Sequence, residues 1–191
     1  MSAAQAARLR AVLLEPQEAQ RREVHGSTVA AVLAPLYERD GELWAVFIKR
    51  RPDLRLHAGQ ISFPGGRREP ADRDLVETAL RESHEEIGLE PAAVTLLGAL
   101  TPTPTFVSDI AIYPLVGLIE RPDVWIPAAE EVAEVLEAPL RELARTHRVE
   151  TVERPTGERA VTDAFTIAGE RIWGATGRML TDLLVRLAAA G

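Results

Sequence analysis

Two hydrophobic rhythms run along this chain, and the change from one to the other marks its elements. Residues 28–37 are rich in Val, Ala and Leu, and residues 43–48 return to that character after the turn pair Asp40-Gly41. Apolar runs of this length around such a dipeptide predict a β-hairpin. Further on, the period becomes helical. At roughly 100° per residue, Val76, Ala79, Leu80, Ser83 and Ile87 share one narrow face. Gly88 then stands where a left-handed residue ends a helix. That face is expected to point into a core.

Residues 91–100 and 110–119 read as strands, joined by Thr101-Pro102-Thr103-Pro104-Thr105, a rigid connection that a helix cannot occupy. Pro114 predicts that part of the second strand lies at a sheet edge. Residues 130–137 alternate apolar and acidic side chains, as a strand with one wet face does, and Pro139-Leu140 opens a short helix to about Arg145. Residues 149–152 and 161–167 predict a strand pair around Pro155-Thr156-Gly157. Ile172-Trp173-Gly174-Ala175-Thr176 opens a closing helix to about Ala189, with Met179, Leu180, Leu183, Leu184 and Leu187 spaced for packing. At the other end, residues 3–14 have helix-forming composition stopped by Pro16, and the polar stretch to Arg22 is a second short helix or a tether. The expected organisation is a helical extension over residues 1–24 and one α/β domain over 25–191.

Composition narrows the function classes. A chain of 191 residues, 46% hydrophobic and 27% charged, is long enough for one well-buried domain. Its net charge of −7 argues against general binding to nucleic acid or to a membrane surface. The absence of cysteine excludes disulfides and thiolate metal sites. The run Ala11-Val12-Leu13-Leu14 is too short for a signal segment, and no apolar run approaches a membrane-spanning length. A cytoplasmic protein, monomer or homodimer, is the expectation.

Two stretches carry candidate chemistry. Glu82, Glu85 and Glu86 fall on one arc of the helix, away from its apolar face, and three such carboxylates repel one another. They read either as a solvated acidic face or as ligands for a hard cation, Mg²⁺ or Mn²⁺. Upstream, Lys49, Arg50, Arg51 and Arg55 crowd a segment made loop-like by Pro52 and Gly59. This is either a solvated basic loop or a cationic patch that collects a polyphosphate. The loop leads through Phe63 directly into the turn Pro64-Gly65-Gly66, so its charges are expected near the acidic helix.

The stretch from Gly66 to Leu89 resembles the Nudix box: Gly, five residues, Glu, seven residues, then Arg-Glu-apolar-any-Glu-Glu-any-Gly-apolar. Arg81, Glu82, Glu85, Glu86, Gly88 and Leu89 match its second half, with Ser83 in the apolar slot. In the first half Asp72 stands where the pattern has Glu, and one extra residue separates it from Arg81. A second likeness precedes the box. Arg51, Leu54, Arg55, His57, Gly59 and Phe63-Pro64-Gly65-Gly66 resemble the extra signature of the coenzyme A pyrophosphatase branch, and the Ile172–Thr176 stretch is similar to the end of that branch.

The resemblance implies an α/β/α sandwich with a central mixed sheet, the box helix on one face and the closing helix on the other. It implies Mg²⁺ or Mn²⁺ held by Glu82, Glu85 and Glu86 with help from the Gly66 carbonyl. Glu85 is ligand or general base, and Arg81 orients the glutamates. A further base or ligand is expected from Glu130, Glu131 or Glu134. Arg51, Arg55, His57, Gly59 and Arg67 are candidate contacts to coenzyme A, whose pyrophosphate is expected to be hydrolysed to 3′,5′-ADP and 4′-phosphopantetheine. Two alternatives stand beside this reading: another nucleoside diphosphate derivative such as ADP-ribose or NADH as substrate, and a silent nucleotide-binding module.

Overall fold

The computed structural model of the protein describes residues 3–105, 109–153 and 157–190. Two short helices, α1 (Ala3–Val12) and α2 (Pro16–Arg21), come first. The hairpin follows as β1 (Thr28–Arg39) and β2 (Glu42–Arg50), with Asp40 and Gly41 at φ of 54° and 77° in the turn. Then come two strands that local pattern did not predict, β3 (Ile61–Ser62) and β4 (Gly65–Arg67). The Gly-Gly segment, expected as a turn, is therefore a strand.

Helix α3 (Leu75–Ile87) has both ends specified by sequence. Asp74 accepts a hydrogen bond from the Glu77 N–H at 2.9 Å, and Gly88 adopts φ 70° and donates its N–H to the His84 carbonyl. A 3₁₀ turn over Pro91–Ala93 takes the first residues of the expected strand, leaving β5 as Val94–Ala99. The Thr-Pro connection contributes β6 (Thr103–Pro104), and β7 spans Ile110–Ile119. Next are β8 (Val132–Pro139), α4 (Leu140–Thr146), β9 (Arg148–Glu153), β10 (Arg159–Ile167), β11 (Glu170–Ile172) and α5 (Gly174–Ala190). Ile172 ends a strand opposite Phe165 and does not open the closing helix. Of the turn expected at Pro155-Thr156-Gly157, the first two residues lie outside the described residues.

The main sheet is mixed, with β1 and β7 parallel and its other pairs antiparallel. β1 and β2 stay paired only from Arg39↔Glu42 to Leu36↔Ala45, and beyond that they splay. A strand has two edges. The outer edge of β1 is occupied by β7 and that of β2 by β8, so β4 on β1 and β3 on β2 fill the gap between them. This insertion sets Gly65 and Gly66 in the middle of the sheet.

Pro114 corrects an expectation. β7 is a central strand, between β1 on one side and β5 and β6 on the other. The Pro114 carbonyl accepts the Leu100 N–H at 2.9 Å. Its missing N–H would face that same side, where the neighbouring strand changes from β5 to β6, so no ladder bond is lost.

Period-two alternation along β1 divides the core. Ala31, Leu33 and Tyr37 face α3 together with Val46 and Ile48 of β2, packing on Leu75, Ala79 and Ile87. Val32, Ala34, Leu36, Ala45 and Phe47 face the opposite way, onto Met179, Leu180 and Leu183 of α5 and onto Ala6 and Leu9 of α1. Phe47 stacks on Phe63 at 4.8 Å between ring centroids. The second, three-stranded sheet adds Phe165, Ile167 and Ile172 to this side. The expected sandwich, box helix on one face and closing helix on the other, is the architecture observed. Ser83 is fully buried, and its Oγ donates to the Ala79 carbonyl at 2.7 Å, which is how a polar residue fills the apolar slot.

No helix among the described residues is long and apolar enough to cross a membrane.

Candidate active site

The splayed hairpin delivers the glycines, and α3 delivers the acids above them. The Gly65 N–H donates to Glu86 Oε2 at 2.8 Å. A Cβ placed on Gly66 would lie 2.4 Å from the Glu82 carboxylate, so only glycine leaves that carboxylate where it is. Gly65 has φ 150°, and a Cβ there would meet the Ala31 carbonyl oxygen at 2.4 Å. The two glycines thus serve different ends, one backbone packing and one room for a carboxylate.

The three glutamates of the arc sit in three environments. Side-chain exposure is 18% for Glu82, 56% for Glu85 and 6% for Glu86. Burial pushes the Glu86 carboxyl up to about 8; the Gly65 N–H opposes the rise, repulsion from Glu82 adds to it, and Arg50 offsets part of it. Glu82 is also raised, mainly by burial, with Arg81 pulling the other way. Two neighbouring carboxylates are therefore both disfavoured as anions, which is the electrostatics of a site built to receive positive charge.

Arg81 organises the cluster. It grips Asp72 with two donors, Nε to Oδ1 at 2.9 Å and Nη2 to Oδ2 at 3.0 Å. Its Nη1 donates to Glu82 at 3.1 Å and to Glu85 at 2.9 Å, and Nη2 also reaches the Arg67 carbonyl. Asp72 in turn accepts from the Glu69 N–H and the Thr78 hydroxyl. Hydrogen bonding to Arg81 holds its carboxyl well below the usual carboxylate range. Four residues on along the helix, Arg81 pairs with Glu85, while Glu77 pairs with Arg73.

The basic loop folds back on itself at the end of β2. The Gly59 N–H donates to the Arg51 carbonyl, the Arg50 N–H to Gln60, and the Arg51 N–H to Glu131. His57 sits at φ 56° with Nδ1 2.9 Å from Gln60 Oε1, and Gly59 follows at φ 67°. The Arg51 side chain holds the loop together, bonded to both Asp53 oxygens and to the Ala129 carbonyl. Arg51, expected among the coenzyme A contacts, thus has its guanidinium engaged within the protein. Arg55 and Arg67 are exposed, and their guanidinium groups have no partner among the described residues.

Of Glu130, Glu131 and Glu134, the structure brings Glu131 to the cluster. Its carboxylate lies 3.5 Å from Arg50 and acts electrostatically on both Glu82 and Glu86. Glu130 faces Arg51, and Glu134 is exposed opposite Lys49 in the β2–β8 ladder. Sequence reasoning counted Arg50 in the basic patch expected near the acidic helix but gave it no site role; it lies 3.7 Å from Glu86. The signal was available: Val46 and Ile48 face α3, and a period of two puts Arg50 on the same side. Among the described residues no three carboxylate or imidazole groups are already gathered in cation-site geometry; Arg81, Arg50 and Gly65 hold the oxygens.

The acids of one helix thus converge on a glycine strand inserted into a splayed mixed sheet. Residues 27–158 match the NUDIX domain model, and the chain belongs to the Nudix family. It is 35% identical over 169 residues, 87% of this chain and 86% of the relative, to a Pectobacterium atrosepticum protein bearing the name uncharacterized Nudix hydrolase NudL. A MutT/nudix family protein from Enterococcus faecalis shares the fold, with a TM-score of 0.56 at 13% identity over 91% of this chain and 67% of that one. So does the NUDIX domain of Shewanella oneidensis NrtR, solved in complex with ADP ribose, with a TM-score of 0.51 at 15% identity over 70% of this chain and 88% of that one.

Proposed function

We infer that this Nudix hydrolase cleaves the pyrophosphate bond of coenzyme A, releasing 3′,5′-ADP and 4′-phosphopantetheine. The observation that carries the reading is the position of the 51–66 signature. Its loop is pinned to Glu131 at one end and passes through β4 beneath Glu82 and Glu86 at the other. On this reading a ligand whose pyrophosphate lies over the carboxylates has Arg55, His57 and Arg67 as its candidate contacts.

The residues fit a divalent cation, Mg²⁺ or Mn²⁺. The donor set is oxygen only, Gly66 leaves the space, and burial disfavours the anionic forms of Glu82 and Glu86, a cost that a cation relieves. Glu82, Glu85 and Glu86 would hold it, beside Gly66. When bound, it neutralises charge on the pyrophosphate oxygens and makes water more acidic. The chain's own part is to orient and to accept a proton. Arg81 fixes Glu82 and Glu85 through Asp72. Glu85, exposed on α3, and Glu131, exposed on the facing loop, are the candidates to take the proton of the attacking water. Water oxygen bonds to one phosphorus as the bridging P–O bond breaks, and the leaving phosphate keeps that bond's electrons. Arg55 and Arg67 supply free guanidinium groups for the 3′-phosphate of coenzyme A.

Mass identification of products after incubation with Mg²⁺ or Mn²⁺ tests the reading, using coenzyme A, dephospho-coenzyme A, ADP-ribose and NADH. Release of 3′,5′-ADP from coenzyme A, favoured over the dephospho form and lost in E86Q, is the expected result. Turnover of ADP-ribose or NADH alone keeps the carboxylate site and removes the loop's role in choosing substrate. Binding of a nucleotide with no turnover leaves a silent module.

A further inference from the structure

Arg50 is the residue of this site that neither box nor loop signature accounts for. It is the last residue of β2, on the face that Val46 and Ile48 present to α3. The hydrophobic core ends at Ile48, and one pleat further the side chain reaches the acids. The β2–β8 ladder shifts register between Lys49 and Arg50, where Lys49↔Glu134 gives way to Arg50↔Val132. Such a bulge re-aims the side chains beside it. The guanidinium lies 3.7 Å from Glu86 Oε1 and 3.5 Å from Glu131 Oε2, and 75% of its side-chain surface is covered.

Backbone hydrogen bonds already tie the loop before β8 to the end of α3, Ala128 N–H to the Glu86 carbonyl and Ile126 N–H to the Ile87 carbonyl, and the Arg50 contacts add a link between the two carboxylates. Glu86 is on the box helix and Glu131 is on the loop before β8, and the Glu131 charge raises the cost of ionising Glu86. No other Lys or Arg makes an ion pair with either one among the described residues. Arg81, the second cation of the cluster, serves Asp72, Glu82 and Glu85. The two arginines thus divide the carboxylates between them.

We propose that Arg50 is a positioning residue, the resident counter-charge that holds the Glu131 carboxylate beside that of Glu86 and sets the threshold at which the site takes a divalent cation. The inference rests on the cation-site reading above. A fixed positive charge this close to the acids holds them together when no ion is bound, and it competes with an incoming ion for the same oxygens. Removing it therefore loosens the metal-free protein and tightens cation binding. A residue that only packed the end of β2 would not tighten it.

Mn²⁺ binding to the metal-free full chain, read from the electron paramagnetic resonance of free Mn²⁺, compares wild type with R50M and R50K. R50M should bind Mn²⁺ several-fold more tightly and melt at a lower temperature without metal, while R50K, which keeps the charge, stays within about twofold of wild type. Affinity in R50M equal to or weaker than wild type overturns the proposal. A second measurement needs only the wild-type protein to fold. The Arg50 side-chain Nε–H resonance, assigned by its loss in R50K, should shift as Mg²⁺ is added, with the midpoint of cation binding. A resonance unmoved at saturation overturns the proposal too. If the wild type binds no Mn²⁺, the cation site itself fails and the role of Arg50 falls with it; binding by the wild type with R50M unchanged removes the role of Arg50 alone.

Discussion

Arg81 and Asp72 meet through two parallel hydrogen bonds, 2.9 Å and 3.0 Å long, across a helical turn and the loop before it. The pair is what allows one guanidinium to reach Glu82 and Glu85 in a fixed orientation. Asp72 is 5% exposed, and three groups donate to it: the Arg81 guanidinium, the Glu69 N–H and the Thr78 hydroxyl. Asp72→Asn should cost about 2 kcal/mol at neutral pH, the scale of hydrogen bonds to a charged group. The sign with pH follows from a carboxyl held below its ordinary value. Its contribution is complete above the unfolded-state pKa of about 4 and is lost as pH falls through the folded value. Denaturant unfolding should therefore show a constant gap between wild type and D72N from neutral pH to about 5, narrowing below 4.

The two glycines of β4 should fail in different ways when given a methyl group. In Gly66→Ala the new Cβ meets the Glu82 carboxylate, the end of a flexible side chain that can move aside. Thermal stability should stay near wild type while turnover falls at least about tenfold, because a displaced ligand loses its geometry. In Gly65→Ala the Cβ meets the backbone of Ala31 and Val32, and φ 150° disfavours any side chain. That variant should lose stability first. Melting curves and initial rates on the same two preparations separate the outcomes.

Glu86 carries the opposite pH signature to Asp72. A carboxyl raised to about 8 binds its proton more tightly folded than unfolded. Between the unfolded value of about 4.3 and the folded value, the metal-free protein should thus lose stability as pH rises. Glu86→Gln should flatten that slope, and its amide oxygen still accepts the Gly65 N–H. Turnover should fall at least about 100-fold, the scale of removing one preorganised electrostatic group. A metal-free melting temperature that rises steadily from pH 5 to 8 would contradict the assignment.

Arg55 and Arg67 should separate from Arg51 in kinetics. The first two have no partner among the described residues, so alanine at either leaves the fold alone. Each should raise KM for coenzyme A about tenfold and for dephospho-coenzyme A less, as loss of one phosphate contact does. Arg51 holds Asp53 and the Ala129 carbonyl. Arg51→Ala should act on kcat and KM together for both substrates, by loosening the loop.

The first helix is a fifth test. Ala6 and Leu9 lie in the core beside α5, Arg186 donates to the Val12 carbonyl, and Leu14 exchanges two backbone hydrogen bonds with Ala99. Deleting residues 1–14 should lower the melting temperature by several degrees and uncover a stripe of α5. An unchanged melting curve would show that the segment only rests on the domain.

Much of this protein was readable in its sequence because the relevant interactions are local. A helix writes its apolar face and its acidic arc into a period of 3.6 residues, and Asp74 and Gly88 mark its ends within a few positions. The β1–β2 hairpin followed from two apolar runs around Asp40-Gly41. Ser83 needed no distant partner either, since its acceptor is the carbonyl one turn back. What the tertiary structure decided is which distant residues share a space. Glu82, Glu85 and Glu86 are alike in sequence, but only the strand beneath them makes Glu86 buried and Glu85 wet. Nothing local distinguishes Glu131 from Glu130 or Glu134, because its partner Arg50 lies 81 residues away. Pro114 read as an edge signal, since the amide it lacks is a local property and the gap between β5 and β6 that excuses it is not. Periodicity reports what a residue meets within a turn or a pleat; insertion of β3 and β4 into a splayed hairpin brings together residues that no local period relates.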